Sequence, residues 1–134
     1  MLFRNLNFSA RAGEVLSIEG PNGVGKTSLL RIIAGFLPLA EGSIVLEAEH
    51  AVSDPEERGR QAGWVGHQDG AKPQLTAVEV LRFFAALHGI SPDIAGFLAR
   101  AGLERCAELP CQYLSAGQRK RLALARLAMT KRPL

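Results

Sequence analysis

The run Glu19-Gly20-Pro21-Asn22-Gly23-Val24-Gly25-Lys26-Thr27-Ser28 decides how the rest of this sequence is read. It fits G-x-x-x-x-G-K-[ST], with Gly20, Gly25, Lys26 and Thr27 in the fixed places. Before it, Val15-Leu16-Ser17-Ile18 has the character of a strand; after it, Ser28 to Ala34 has that of a helix. Strand, glycine loop and helix follow in the order that phosphate chemistry needs. Gly20, Gly23 and Gly25 accept backbone angles that turn successive N–H groups toward an anion, while Pro21, Asn22 and Val24 complete the loop. The partial positive charge of the helix start, which includes Ser28, adds to that pull. Lys26 is then placed to reach the β- and γ-phosphates of a nucleotide, and the Thr27 hydroxyl to ligate Mg2+. A flexible glycine turn before a surface helix is the bland alternative, and the order of the flanking elements argues against it.

The chain has 134 residues, of which 47% are hydrophobic and 22% charged, enough for one domain or a large piece of one with a real core. Its net charge of +3 is too small to argue for a nucleic-acid partner. Arg119, Lys120, Arg121 and Arg126 cluster at helical spacing, which predicts a solvated or partner-facing surface. Cys106 and Cys111 lie apart from the histidines, so no metal set forms and two buried or half-buried thiols in a reducing cytosol are expected. No run approaches the roughly 18 apolar residues of a membrane span.

Along the chain, Leu2 to Ala10 reads as a strand, Arg11 to Glu14 as a turn on Ala12-Gly13, and Val15 to Glu19 as the strand feeding the glycine loop. The helix after the loop runs to Ala34, with Gly35 to close it. Ser43 to Leu46 is a short β-type run, and His50 to Gln61 a polar loop whose charges form a solvated face. Gln68, following Gly63-Trp64-Val65-Gly66, is a candidate site residue because α/β proteins place ligand groups at strand ends. Thr76 and Glu79 form a capping box for a helix whose core face is Val80, Leu81, Phe83, Phe84 and Leu87. Ser91 as N-cap and Pro92 open a second helix with Ile94, Phe97, Leu98 and Ala101 inward. These helices, about Thr76 to Leu109, interrupt the β/α alternation and predict an inserted subdomain. Then Leu114-Ser115-Ala116-Gly117-Gln118 heads a helix with Leu122, Ala125 and Met129 on one face. With Ser115 as N-cap, the N–H groups of Ala116, Gly117 and Gln118 are expected to point out of the helix start, a second terminus suited to an anion.

Taken together, the glycine loop, Gln68 and Leu114-Ser115-Ala116-Gly117-Gln118 resemble the nucleotide-binding subunits of ATP-binding cassette (ABC) transporters. The L-S-x-G-Q element is the specific one. More narrowly, Gly66-His67-Gln68, Leu75 to Phe84 and Leu124-Ala125-Arg126-Leu127 make the chain similar to haem-exporter ATP-binding subunits of bacterial cytochrome c maturation. The resemblance implies an α/β fold: a P-loop NTPase core with a parallel sheet, an antiparallel β part and an inserted helical subdomain. The expected partition of this partial nucleotide-binding domain is 1–70 for the core and β part, 71–112 for the helical subdomain, and 113–134 for the signature segment and its helix.

The same resemblance implies ATP and Mg2+ as cofactors, with Gly20 to Ser28 on the nucleotide, Lys26 stabilising its phosphates, and Thr27 and Gln68 at the metal. It implies a dimer of nucleotide-binding domains in which Leu114 to Gln118 of one copy meets the nucleotide held by the other. Integral membrane subunits would be the further partners, with no nucleic acid, at the cytoplasmic face of the bacterial inner membrane. ATP binding and hydrolysis would drive haem export. The pattern departs in one respect. No Asp or Glu follows Glu108, so the Mg2+-holding aspartate and water-activating glutamate that such ATPases need are not found, and the sequence is expected to be a domain incomplete at both ends. An ATP-binding or partner-binding fragment without hydrolysis, or the ATPase subunit of another ABC transporter, are the alternatives.

Overall fold

The computed structural model describes residues 3–46, 54–66 and 70–132. They fall into two compact units, Met1–Ala62 and Gly63–Leu134. The first contains helices α1 (Lys26–Ile33) and α2 (Pro55–Gln61). Helix α1 starts at Lys26, directly after Gly25, its N-cap. It ends where Gly35 takes φ +80°, so that Gly35 N–H reaches the Ile32 carbonyl at 3.1 Å and Phe36 N–H the Arg31 carbonyl at 2.8 Å. That closure satisfies two of the carbonyls that a helix end leaves open.

Residues 55–61 are not the polar loop expected from the sequence. Asp54 accepts from Glu57 N–H at 3.1 Å and Pro55 occupies the first position, which together start α2. Nor do its charges all face solvent. Arg58 is fully buried, donating from Nε to the Ile32 carbonyl at 3.1 Å and from Nη2 to the Leu37 carbonyl at 3.4 Å. The guanidinium meets the negative end of α1, which is why a charged side chain is stable there.

The β part of the expectation is not formed among the described residues. Leu6 and Phe8 are about half exposed, Val15 is 95% exposed, and bridge positions are single residues, at Val45 and between Thr76 and Pro110. An extended segment becomes a strand only when a neighbour takes its ladder hydrogen bonds. None of the described residues does so for 15–19. The turn on Ala12-Gly13 is present, with Glu14 N–H bonded to the Arg11 carbonyl at 3.0 Å.

The second unit is helical: α3 (Ala77–Leu87), α4 (Ile94–Arg100) and α5 (Ala116–Met129), with single 3-10 turns at Glu104–Cys106 and Cys111–Tyr113. The capping box of α3 is made as the sequence predicts, Thr76 accepting from Glu79 N–H at 3.2 Å and Glu79 from Thr76 N–H at 2.8 Å. Asp93, not Ser91, caps α4, accepting from Gly96 N–H at 3.0 Å. Leu81, Leu98, Leu103, Leu114, Leu122 and Met129 form one core, each burial of this kind worth roughly 1.5–3 kcal/mol. On α3 the buried residues are Ala77, Val78, Val80, Leu81 and Ala85, with Phe84 half buried beside them, so Val80 and Leu81 face inward as the sequence predicts. Phe83 (56% exposed) and Leu87 (64%) lie off that face, contrary to expectation. Phe83 instead packs edge-on against Phe84, ring centres 5.3 Å apart.

The segment 107–112 runs back along 73–78. Val78 N–H bonds to the Ala107 carbonyl at 3.1 Å and Cys111 N–H to the Leu75 carbonyl at 2.8 Å. Helix α5 therefore shares its core with α3 and α4. No helix among the described residues is long and apolar enough to cross a membrane.

Candidate phosphate-binding site

In the first unit the glycine loop folds over the start of α1. Gly20, Gly23 and Gly25 take φ of +147°, +83° and +106°, backbone angles that a side chain disfavours. A Cβ on Gly23 would meet nothing within 4 Å, so the demand there is conformational; one on Gly20 would touch Val24 Cγ1 at 3.4 Å. No side chain caps α1, and by helix geometry the N–H groups of Lys26, Thr27 and Ser28 have no acceptor within the helix. The Lys26 ammonium curls back over the loop, Nζ donating to the Gly20 carbonyl at 2.7 Å and the Pro21 carbonyl at 2.8 Å. Asn22, Gly23, Val24 and Thr27 are exposed.

This arrangement fits a polyphosphate. An uncapped helix start, glycines that aim main-chain amides, and an ammonium held above the same loop are three donors of positive potential in one place. Lys26 would exchange its two carbonyl acceptors for phosphate oxygens. Among the described residues no group of three or more His, Cys, Asp and Glu could hold a metal ion. A single hydroxyl such as that of Thr27 suits Mg2+ that takes its remaining ligands from phosphate and water.

The Leu114–Gln118 segment belongs to the second unit and differs in one respect from expectation. Ser115 does cap α5, but its Oγ accepts from Gln118 N–H at 3.2 Å, and Gln118 Oε1 accepts from Ser115 N–H at 2.7 Å. The Gln118 amide is thus closed by a reciprocal capping box and is not free. What the helix start presents is the backbone around Ala116 and Gly117, both exposed.

The basic side chains of α5 are also more engaged than a solvated surface would be. Arg119 Nη1 donates to the Leu114 carbonyl at 2.7 Å, Lys120 Nζ to the Gly66 carbonyl at 3.3 Å, and the Arg126 guanidinium lies 4.4 Å from the centre of the Phe84 ring. A Cβ on Gly70 would come within 2.9 Å of Arg126 Nη1. Lys120 thus bonds the chain just before 67–69, and Arg126 lies close to it just after. No motif marks these contacts, and Lys120 and Arg126 are not spaced to share one helix face, so the sequence carries no signal for them. Gln68, the strand-end candidate, lies outside the described residues. Cys106 and Cys111 are free and buried, in keeping with their composition-based reading.

A family model described as ABC transporter matches residues 3–134. The chain belongs to the ABC transporter family. Membership in that family implies a P-loop NTPase fold. Among curated relatives, a cytochrome c biogenesis ATP-binding export protein CcmA from Nitrobacter winogradskyi is 47% identical over 135 residues, covering 99% of this chain and 66% of the relative. The protein of the same name from Vibrio cholerae is 45% identical over 137 residues, with 100% and 66% covered. That from Pseudomonas syringae pv. syringae is 44% identical over 138 residues, with 100% and 64% covered. The chain thus spans just under two thirds of the length of these relatives.

Proposed function

We propose that this chain is the ATP-binding part of an ABC export complex serving cytochrome c biogenesis, and that it carries the phosphate-gripping half of an ATPase. The observation that carries the proposal is the glycine loop with Lys26 folded over it, in a chain 45% identical to a protein named as a cytochrome c biogenesis ATP-binding export protein. Gly20 to Ser28 bind the triphosphate: main-chain amides of the loop and helix start accept its charge, Lys26 bridges the β- and γ-phosphates, and Thr27 with Gln68 meets Mg2+. Leu114 to Gln118 serves a nucleotide held by a second copy, so that ATP draws two domains together and hydrolysis lets them part.

The remaining roles follow the same reading. The complete core has a parallel sheet with an antiparallel β part, and the helices within 71–112 are an insertion that docks on integral membrane subunits. The working assembly is peripheral, at the cytoplasmic face of the bacterial inner membrane, and its cargo is haem. Sedimentation velocity with and without Mg-ATP tests the central step: the wild-type chain forms a nucleotide-dependent dimer, and Ser115→Arg, which places a bulky cation at the signature turn, does not. A wild-type chain that binds Mg-ATP and stays monomeric at every protein concentration would overturn it.

A further inference from the structure

The side chain of Gln118 makes a second contact that the capping box does not require. While Oε1 accepts from Ser115 N–H at 2.7 Å, Nε2 donates to Cys106 Sγ at 3.7 Å, a distance suited to sulfur. The thiol in turn lies 3.5 Å from the Leu103 carbonyl, to which it donates its proton. The orientation of the amide is forced. Flipping it would set its NH2 group against Ser115 N–H, two donors face to face. Cys106 is 7% exposed and belongs to the core with Leu103, Leu114 and Leu122. A thiol is apolar enough to sit there and still offers a weak acceptor, which neither an alanine nor a valine would.

We infer that Cys106 is a positioning residue for the signature turn: it fixes the side-chain amide of Gln118 and, through it, the backbone of Ser115. The role for nucleotide rests on the proposed function above; the link between thiol and turn does not. The chain Leu103 carbonyl, Cys106 thiol, Gln118 amide and Ser115 N–H ties the first turn of α5 to the core. A turn so held needs less ordering when it meets a phosphate from another copy, and preorganisation of this kind raises affinity without adding a contact to the ligand.

Two variants separate this role from simple packing. Cys106→Ala keeps the core apolar but removes the acceptor, whereas Cys106→Ser keeps a donor and acceptor while introducing a hydroxyl into apolar surroundings. In the wild type, NMR exchange of the Gln118 side-chain amide is slower than that of the exposed Gln112. In Cys106→Ala, protection of the Ser115 amide falls about fivefold, the scale of one lost capping interaction. ATP-dependent dimerisation weakens by a similar factor while the affinity of the monomer for ATP is unchanged. Cys106→Ser restores the amide protection even though its melting temperature is lower. Equal exchange at Gln118 and Gln112, or an unaltered Ser115 amide in Cys106→Ala, would overturn the assignment, and so would a serine variant that behaves as the alanine one does. Should Cys106→Ala not fold, the wild-type and serine measurements still decide. If wild type binds no ATP, the functional reading fails and the exchange data judge the thiol link by themselves.

Discussion

The Nε of Arg58 on α2 lies 3.1 Å from the carbonyl oxygen of Ile32, on the helix that begins at the glycine loop. A fully buried guanidinium thus closes the far end of that helix. Replacing it with Met leaves those carbonyls buried without a charged donor, and a loss of about 2–4 kcal/mol is expected. Arg58→Lys keeps the charge but not the planar fork and should fall between. Urea unfolding followed by far-UV circular dichroism reads both.

Gly35 and Gly89 both take positive φ, +80° and +63°, just beyond a helix end, yet they differ in what surrounds them. A Cβ on Gly89 meets nothing within 4 Å, so Gly89→Ala costs only the left-handed conformation, about 1–2 kcal/mol. A Cβ on Gly35 would fall on the Pro55 carbonyl oxygen and lie 2.7 Å from Gly59 N. Gly35→Ala therefore costs about 3 kcal/mol or more, since backbone rather than a flexible side chain must give way. Chemical denaturation of the two variants side by side shows a clear gap; equal losses would contradict the packing of α1 against α2.

Ser115 has two separable roles. Its hydroxyl caps α5, and Ser115→Ala should destabilise by about 1 kcal/mol through that loss alone. Ser115→Asp keeps a cap of comparable strength and suits the helix dipole, so its melting temperature stays near wild type. It also sets a negative charge where the proposed phosphate of a second copy arrives. Nucleotide-dependent dimerisation is then lost in Ser115→Asp despite intact folding, and sedimentation with thermal melting on the same sample checks the split.

Much of this was legible because local signals carry their own geometry. Thr76 with Glu79, and Gly35 after Ala34, mark helix ends by short-range hydrogen bonds that need no tertiary partner, and both stand where the sequence places them. The family was legible from motifs for the same reason. Helix α2 begins on Asp54-Pro55-Glu56-Glu57, a helix-start pattern, but its seven residues carry no apolar stripe, so periodicity does not distinguish them from a loop. That Arg58 is buried could not be read locally, since its acceptors are Ile32 and Leu37, far off in sequence. Asp93 rather than Ser91 takes the capping role because its carboxylate accepts from Gly96 N–H in the first turn of the helix. Extended runs such as Val15 to Glu19 carry strand character in their side chains, but strand pairing is a property of two segments.

Direct titration of Mg-ATP into the wild-type chain and into Lys26→Ala tests the account most closely. The two carbonyls that Lys26 contacts are at exposed positions where water can replace it, so the variant should fold and melt within about 0.5 kcal/mol of wild type. Wild type is expected to bind saturably and Lys26→Ala at least about tenfold more weakly, the loss of one charge-assisted contact to phosphate. No binding by wild type, or the same affinity in both, would contradict the claim that this loop grips a nucleotide.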